Sequence, residues 1–112
     1  LCRRMVIHGI ALPPQLDLTG KKPWEINHLD TMELWRFGDS RSRISLNLMA
    51  AVLNIPTPKD DISGEDVFRV YHEEKNPERI RVYCEKDVLT TAQILRKLRG
   101  EPLIDPDDVS FA

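Results

Sequence analysis

The sequence has 112 residues, of which 41% are hydrophobic and 30% are charged. That balance is typical of a soluble globular protein, and the length allows one domain or part of one. The net charge of −2 gives no electrostatic footprint for tight non-specific nucleic-acid binding, which needs clustered Lys and Arg. Cys2 and Cys84 lie too far apart in sequence for a disulfide framework or a zinc cluster. No segment is predicted to span a membrane, and we expect a reducing cytoplasm.

The first third of the chain predicts two short helices and one strand. Residues 1–10 have the pattern of a helix end, which is closed by Gly9. Because this helical pattern is already under way at Leu1, we interpret the chain as a fragment. Residues 26–31 alternate well enough to predict one short strand. Residues 32–37 predict a helix that ends at Gly38.

Two cap signals mark the helices in the middle of the chain. Ser45 is a good N-cap for an apolar helix over residues 46–53, which we expect to be largely buried. Ser63 and Asp66 form a variant of the capping box and predict a further short helix.

The longest predicted helix covers residues 77–99. Asn76 is its N-cap, Pro77 its first residue and Gly100 its C-terminal stop. The predicted apolar stripe consists of Ile80, Cys84, Val88, Thr91, Leu95 and Leu98. Tyr83, Asp87 and Ile94 follow the edge of that stripe, where a cleft can open. The segment after Gly100 is acidic and is expected to fray, and residues 105–112 form the acidic tail beyond the domain.

Tyr83 and Asp87 are the most informative pair in the sequence. At i and i+4 of a helix, a phenol and a carboxylate are neighbours. An aspartate can ligate a divalent metal, and a phenol beside it can hydrogen-bond the water that the metal activates, which is nuclease chemistry in outline. The alternative is a half-buried tyrosine beside a solvated acid, and so short a motif leaves both readings open.

Other candidate groups have simpler explanations. His28 and Asp30 share one face of the predicted strand and could ligate a metal, although such residues more often end a strand. Residues 59–61, Lys-Asp-Asp, could contact phosphate or metal, but a charged loop before a helix is usually just solvated. The aromatic side chains beside turns could stack on bases or plug the ends of the core. These side chains are Trp24, Trp35 and Phe37.

Several motifs together resemble a known family. They are Arg3-Arg4-Met5-Val6-Ile7-His8-Gly9, His28-Leu29-Asp30-Thr31-Met32-Glu33-Leu34-Trp35, Ser45-Leu46-x-x-x-Ala50-x-x-Leu53, Lys59-Asp60-Asp61-Ile62-Ser63-Gly64 and Tyr83-Cys84-Glu85-Lys86-Asp87-Val88. In this order they resemble the predicted 3′-5′ exonucleases related to the proofreading domain of family-B DNA polymerases. The resemblance covers residues 1 to about 104.

The resemblance implies a fold and a set of site residues. It implies the C-terminal part of an α/β, ribonuclease H-like domain over residues 1–104, mainly α-helical here with one short strand. Its partner strands would lie upstream of Leu1. Tyr83 would orient the attacking water, and Asp87 would be the last metal-binding carboxylate. The other three family carboxylates, which belong to the first two acidic motifs, are missing from this chain.

The resemblance also implies an activity. Two Mg²⁺ or Mn²⁺ ions, roughly 4 Å apart, would hydrolyse single-stranded or frayed DNA 3′ ends. With one family carboxylate, we expect the fragment alone to be inactive and its uncovered apolar faces to promote self-association. The alternative is a non-catalytic helical module that binds another protein.

Overall fold

The computed structural model describes residues 1–57 and 62–110. Within these ranges the regular structure is entirely helical. The five α-helices are α1 (Cys2–Ile7), α2 (Thr31–Arg36), α3 (Leu46–Val52), α4 (Val67–His72) and α5 (Pro77–Leu98). Short 3₁₀ turns lie at Pro23–Glu25, Gly64–Asp66 and Pro106–Asp108. The mainly helical composition is confirmed, whereas the α/β architecture of the complete domain stays a prediction.

The strand predicted over residues 26–31 is wrong. This segment leaves the first 3₁₀ turn and leads into α2, and Asp30 is the N-cap of that helix. The Asp30 carboxylate accepts hydrogen bonds from the backbone N–H of Met32, at 2.8 Å, and of Glu33. An extended segment becomes a strand only when a second strand pairs with it, and none of the described residues supplies one.

The predicted caps of α3 and α5 are confirmed. Ser45 Oγ accepts a hydrogen bond from Leu48 N at 3.2 Å, and Asn76 Oδ1 accepts one from Arg79 N at 3.1 Å. The second of these bonds opens the 22-residue α5. Both caps satisfy N–H groups that a helix start otherwise leaves without partners.

The expectation that α3 is largely buried is wrong. Only Met49 and Ala50 of this helix are buried, while Leu48 and Val52 remain 55% and 53% exposed. Among residues 1–57 and 62–110, α5 is the helix on which α3 packs, and the apolar side chains of Leu48 and Val52 stay uncovered there.

The buried face of α5 also differs from the predicted stripe. Val88 is 70% exposed, and Cys84 is exposed as well. The residues that are buried are Thr90, Gln93 and Ile94. Helices α2, α3 and α4 all pack against α5, and Met49 and Ala50 of α3 cluster with Ile94, so tertiary contacts rather than the apolar pattern decide which face is buried. As a result α5 carries one covered apolar face and one uncovered apolar face.

A small core forms where α3 crosses α5. Met49, Ala50, Ile55 and Ile94 are its buried residues. The side chains packed around them are Trp35, Ile44, Leu46, Leu53, Leu98 and Leu103. Val70 of α4 is also fully buried and lies on a helix that packs against α5. These contacts therefore fix α5 relative to α3 and α4.

The tail after Gly100 is docked rather than frayed as far as Ile104. The Gln93 side-chain amide donates to Ile104 O at 2.9 Å, and its carbonyl accepts from Ile104 N at 2.8 Å. Arg96 Nε donates to Pro102 O at 2.6 Å. These three bonds carry Leu103 onto the core.

Ion pairs connect α4 with the start of α5. Arg69 pairs with Asp66 at 3.0 Å and also with Glu74, and Glu74 pairs in turn with Arg79 at 2.7 Å. Surface pairs of this kind are worth little individually. Here the ion pairs are linked to one another, and together they connect the 3₁₀ turn before α4 with the first turn of α5.

In residues 1–57 and 62–110, none of the helices combines the length and the apolar character that a transmembrane span requires.

Candidate active site

An open cleft of about 490 Å³ lies between α5, the start of α3 and the 3₁₀ turn before α4. Its size is within the usual range for small-molecule sites, about 300–1,000 Å³. The residues lining it are Ser45, Leu46, Asn47, Ile62, Ser63, Gly64, Asp66, Tyr83 and Asp87. The two residues singled out in the sequence, Tyr83 and Asp87, therefore share one cleft.

Tyr83 and Asp87 face this cleft from successive turns of α5. Both are partly buried, and they continue towards the N-terminus the row of positions that holds Thr90 and Ile94 in the core. The Tyr83 hydroxyl lies beside the 3₁₀ turn, 3.9 Å from the position that a Cβ on Gly64 would occupy. The pair thus lies on the side of α5 that packs against the other helices.

Asp66 is a cleft residue that sequence reasoning treated only as a helix cap. Its Oδ2 accepts hydrogen bonds from Ser63 N at 2.9 Å and from Ser63 Oγ at 2.8 Å, and its Oδ1 accepts one from Arg69 at 3.0 Å. The Ser63 backbone N–H, then Arg69 and the Ser63 hydroxyl, lower the pKa of Asp66 from 3.8 to about 2. Its carboxylate is therefore charged and occupied in holding the turn.

Ser45 and Asn47 are two further cleft residues that the sequence did not reveal. The Ser45 hydroxyl oxygen is occupied as the N-cap of α3, while Asn47 is exposed in the first turn of that helix. Their sequence spacing from residues 83–87 gives no sign of a shared site, because the packing of α3 on α5 brings the two segments together.

A family model described as "Predicted 3'-5' exonuclease related to the exonuclease domain of PolB" matches residues 1–100. The chain belongs to this family. The match confirms the resemblance seen in the sequence, and it includes every residue that lines the cleft. No curated protein and no solved structure matches this member of the PolB-related exonuclease family.

The residues at the cleft of this exonuclease-family chain do not by themselves fit a pair of divalent ions. Such a pair needs several carboxylate oxygens, and both carboxylate oxygens of Asp66 already accept hydrogen bonds, from Ser63 and from Arg69. Across residues 1–57 and 62–110, no three His, Cys, Asp or Glu side chains lie close enough together to hold a metal. Asp87 fits the part of one carboxylate ligand. Asp60 and Asp61, with Lys59, lie outside the described residues.

The remaining candidates from the sequence lie apart from the cleft. His28 Nε2 is 2.7 Å from Gln15 O, and Asp30 caps α2, so both have structural partners. Trp35 packs against the core, whereas Phe37 is 86% exposed. Trp24 is exposed too, with Lys22 Nζ 5.3 Å from its ring centroid. None of these residues lines the cleft that holds Tyr83.

Proposed function

We propose that the protein is a metal-dependent 3′-5′ exonuclease that hydrolyses DNA at single-stranded or frayed 3′ ends. We further propose that this chain supplies Tyr83 and Asp87 to the active site. The remaining metal-binding carboxylates would come from a part of the protein outside residues 1–112. On this basis the chain alone is inactive. The family is one of predicted 3′-5′ exonucleases, and the finer assignment of substrate and residues is our own.

The observation that carries the proposal is the shared cleft of Tyr83 and Asp87. A pair at i and i+4 on an arbitrary surface would support little, because such pairs are common. Here the pair lies inside a concave site that also exposes the side chain of Asn47. Concave sites with a few convergent polar groups are the usual form of ligand-binding sites.

Each residue has a separate role in the proposed reaction. Hydrolysis forms a bond between phosphorus and a water oxygen, breaks the bond between phosphorus and O3′ and leaves a proton on O3′. Asp87 would hold a divalent cation together with carboxylates from outside the chain, and the chemistry supplied by such an ion is water activation and charge stabilisation. The Tyr83 hydroxyl would hydrogen-bond the attacking water and orient it.

The test is nucleotide release by the natural full-length protein, with a 3′-labelled single strand and Mg²⁺ or Mn²⁺. Asp87→Asn keeps the size of the side chain but removes its charge, so turnover should collapse in a folded protein. Tyr83→Phe removes only the hydroxyl and should cost about 10²-fold. Chelation should abolish the wild-type rate. Release by Asp87→Asn at the wild-type rate would refute the assignment.

A non-catalytic interaction module is the second candidate function. The uncovered side of α5 favours it, because Val88 is 70% exposed and lies with Leu89 and Ala92 beside an apolar groove under Ile104. Exposed apolar surface of this kind often marks an interaction site. A full-length protein that releases no nucleotide under any metal condition would favour this function.

A further inference from the structure

Gly64 differs from every other glycine in the chain. The sequence has five glycines, and Gly9, Gly20, Gly38 and Gly100 all have φ between +65° and +90°. At those positions the backbone itself favours glycine, and an added Cβ would meet nothing within 4 Å. Gly64 lacks a positive φ, so its backbone accepts any L residue without strain.

Gly64 also differs from the other four glycines in the space beside it. A Cβ at this position would lie 3.9 Å from the Tyr83 hydroxyl, which is ordinary van der Waals contact. An alanine therefore fits without any shift. Gly64 and Tyr83 both line the cleft, so a longer side chain at position 64 would take up cleft space beside the Tyr83 hydroxyl.

The turn that carries Gly64 cannot easily move away. Ser63 on one side bonds to Asp66 through both its backbone N–H and its hydroxyl, and Asp66 is held by Arg69. Ile62, the residue before the turn, is 6% exposed. A large side chain at position 64 would consequently fill the cleft instead of displacing the wall.

We propose that Gly64 is a specificity-determining residue that keeps the space in front of the Tyr83 hydroxyl clear for the terminal nucleotide of the substrate. The inference rests on the proposed exonuclease function, and it assigns to the 3₁₀ turn a role beyond helix capping. The size of residue 64 sets whether the scissile phosphodiester and its attacking water reach Tyr83.

The experiment uses a size series at position 64 in the natural full-length protein: Gly64→Ala, Gly64→Val and Gly64→Leu. The matched control is Glu65→Leu, which adds the same side chain to an exposed neighbour on the same turn that does not line the cleft. Nucleotide release should fall with side-chain size, from a small loss for alanine to about 10²-fold for leucine, as expected when reacting groups are displaced by about 1 Å. The control should keep the wild-type rate, and circular dichroism should show all variants folded.

A second readout separates this inference from the proposed function. Deoxythymidine 5′-monophosphate, a product of the proposed reaction, is titrated while the Tyr83 ring signals are followed by NMR. Those signals should shift in the wild type and in Gly64→Ala but not in Gly64→Leu. If the full-length wild type releases no nucleotide, the proposed function fails, and this titration alone decides the role of Gly64.

Several results would overturn the inference. They are a leucine variant as active as the wild type, an alanine variant as impaired as the leucine variant, and nucleotide-induced shifts that are absent from the wild type or equal in the wild type and Gly64→Leu. If Gly64→Leu does not fold, Gly64→Val takes its place in both measurements. A folded valine variant with wild-type release and wild-type shifts would then overturn it.

Discussion

Replacing Gln93 by leucine should release the C-terminal tail. Gln93 is only 9% exposed, and its amide makes two hydrogen bonds to the backbone of Ile104, at 2.8 and 2.9 Å. Leucine has a similar volume but can neither donate nor accept. A neutral hydrogen bond contributes about 0.5–1.5 kcal/mol, so losing two should cost roughly 1–3 kcal/mol. Against a typical total stability of about 5–15 kcal/mol, that loss is readily measured.

Two measurements distinguish local release from global loss. Urea unfolding followed by circular dichroism gives the change in the free energy of unfolding. Amide hydrogen exchange at Ile104 reports the opening of the tail itself. If the tail opens alone, the Ile104 amide should lose its protection while the amides around Ile94 keep theirs.

The matched control is Lys97→Leu, which also replaces a polar side chain of α5 by leucine, at an exposed position. Exposed substitutions of this kind usually change stability by less than about 0.5 kcal/mol. The reasoning would be refuted if Gln93→Leu were as stable as the control and its Ile104 amide exchanged at the wild-type rate. The two bonds would then contribute nothing to docking the tail.

Further predictions concern pH, association and capping. The pKa of Asp66 is lowered from 3.8 to about 2, so its charge stabilises the folded chain above pH 3.8, and this contribution is lost as the pH falls towards 2. Wild type should therefore lose more stability over that interval than Asp66→Asn, and equal losses in acid unfolding curves would contradict this. The chain should self-associate in sedimentation through apolar surface that includes Val88, and Val88→Glu should reduce association, whereas a monomeric wild type would disprove the idea. Asn76→Ala should lower the free energy of unfolding by about 1 kcal/mol, because the N-cap bond to Arg79 is lost, and unchanged urea unfolding would argue against it.

Local chemistry made the helix ends predictable. A capping bond joins residues only a few positions apart, so Ser45 and Asn76 predict the starts of α3 and α5 without information about the rest of the fold. The same holds for the turn at Ser63 and Asp66. The placement of Tyr83 and Asp87 on one face likewise follows from helix geometry, because residues at i and i+4 are neighbours, and it could be predicted from the sequence alone.

Tertiary contacts decided the features that the sequence did not predict. The alternation over residues 26–31 satisfies a strand pattern, but a strand also needs a partner, and Asp30 instead caps a helix. Gln93 is polar, so no apolar pattern would bury it, and its burial depends on a backbone segment eleven residues later. The wall that Gly64 and Asp66 present to Tyr83 depends on how α4 packs against α5.

The position of Tyr83 and Asp87 on α5 couples the cleft to the core. Ile94, which is fully buried, follows Asp87 by seven residues on the same unbroken helix, roughly 10 Å along its axis. Any repacking that rotates α5 about its axis turns Ile94, Asp87 and Tyr83 through the same angle. The packing of the core therefore sets the orientation of the Tyr83 phenol and the Asp87 carboxylate. A change of shape at Ile94 would be felt in the cleft although Ile94 does not line it.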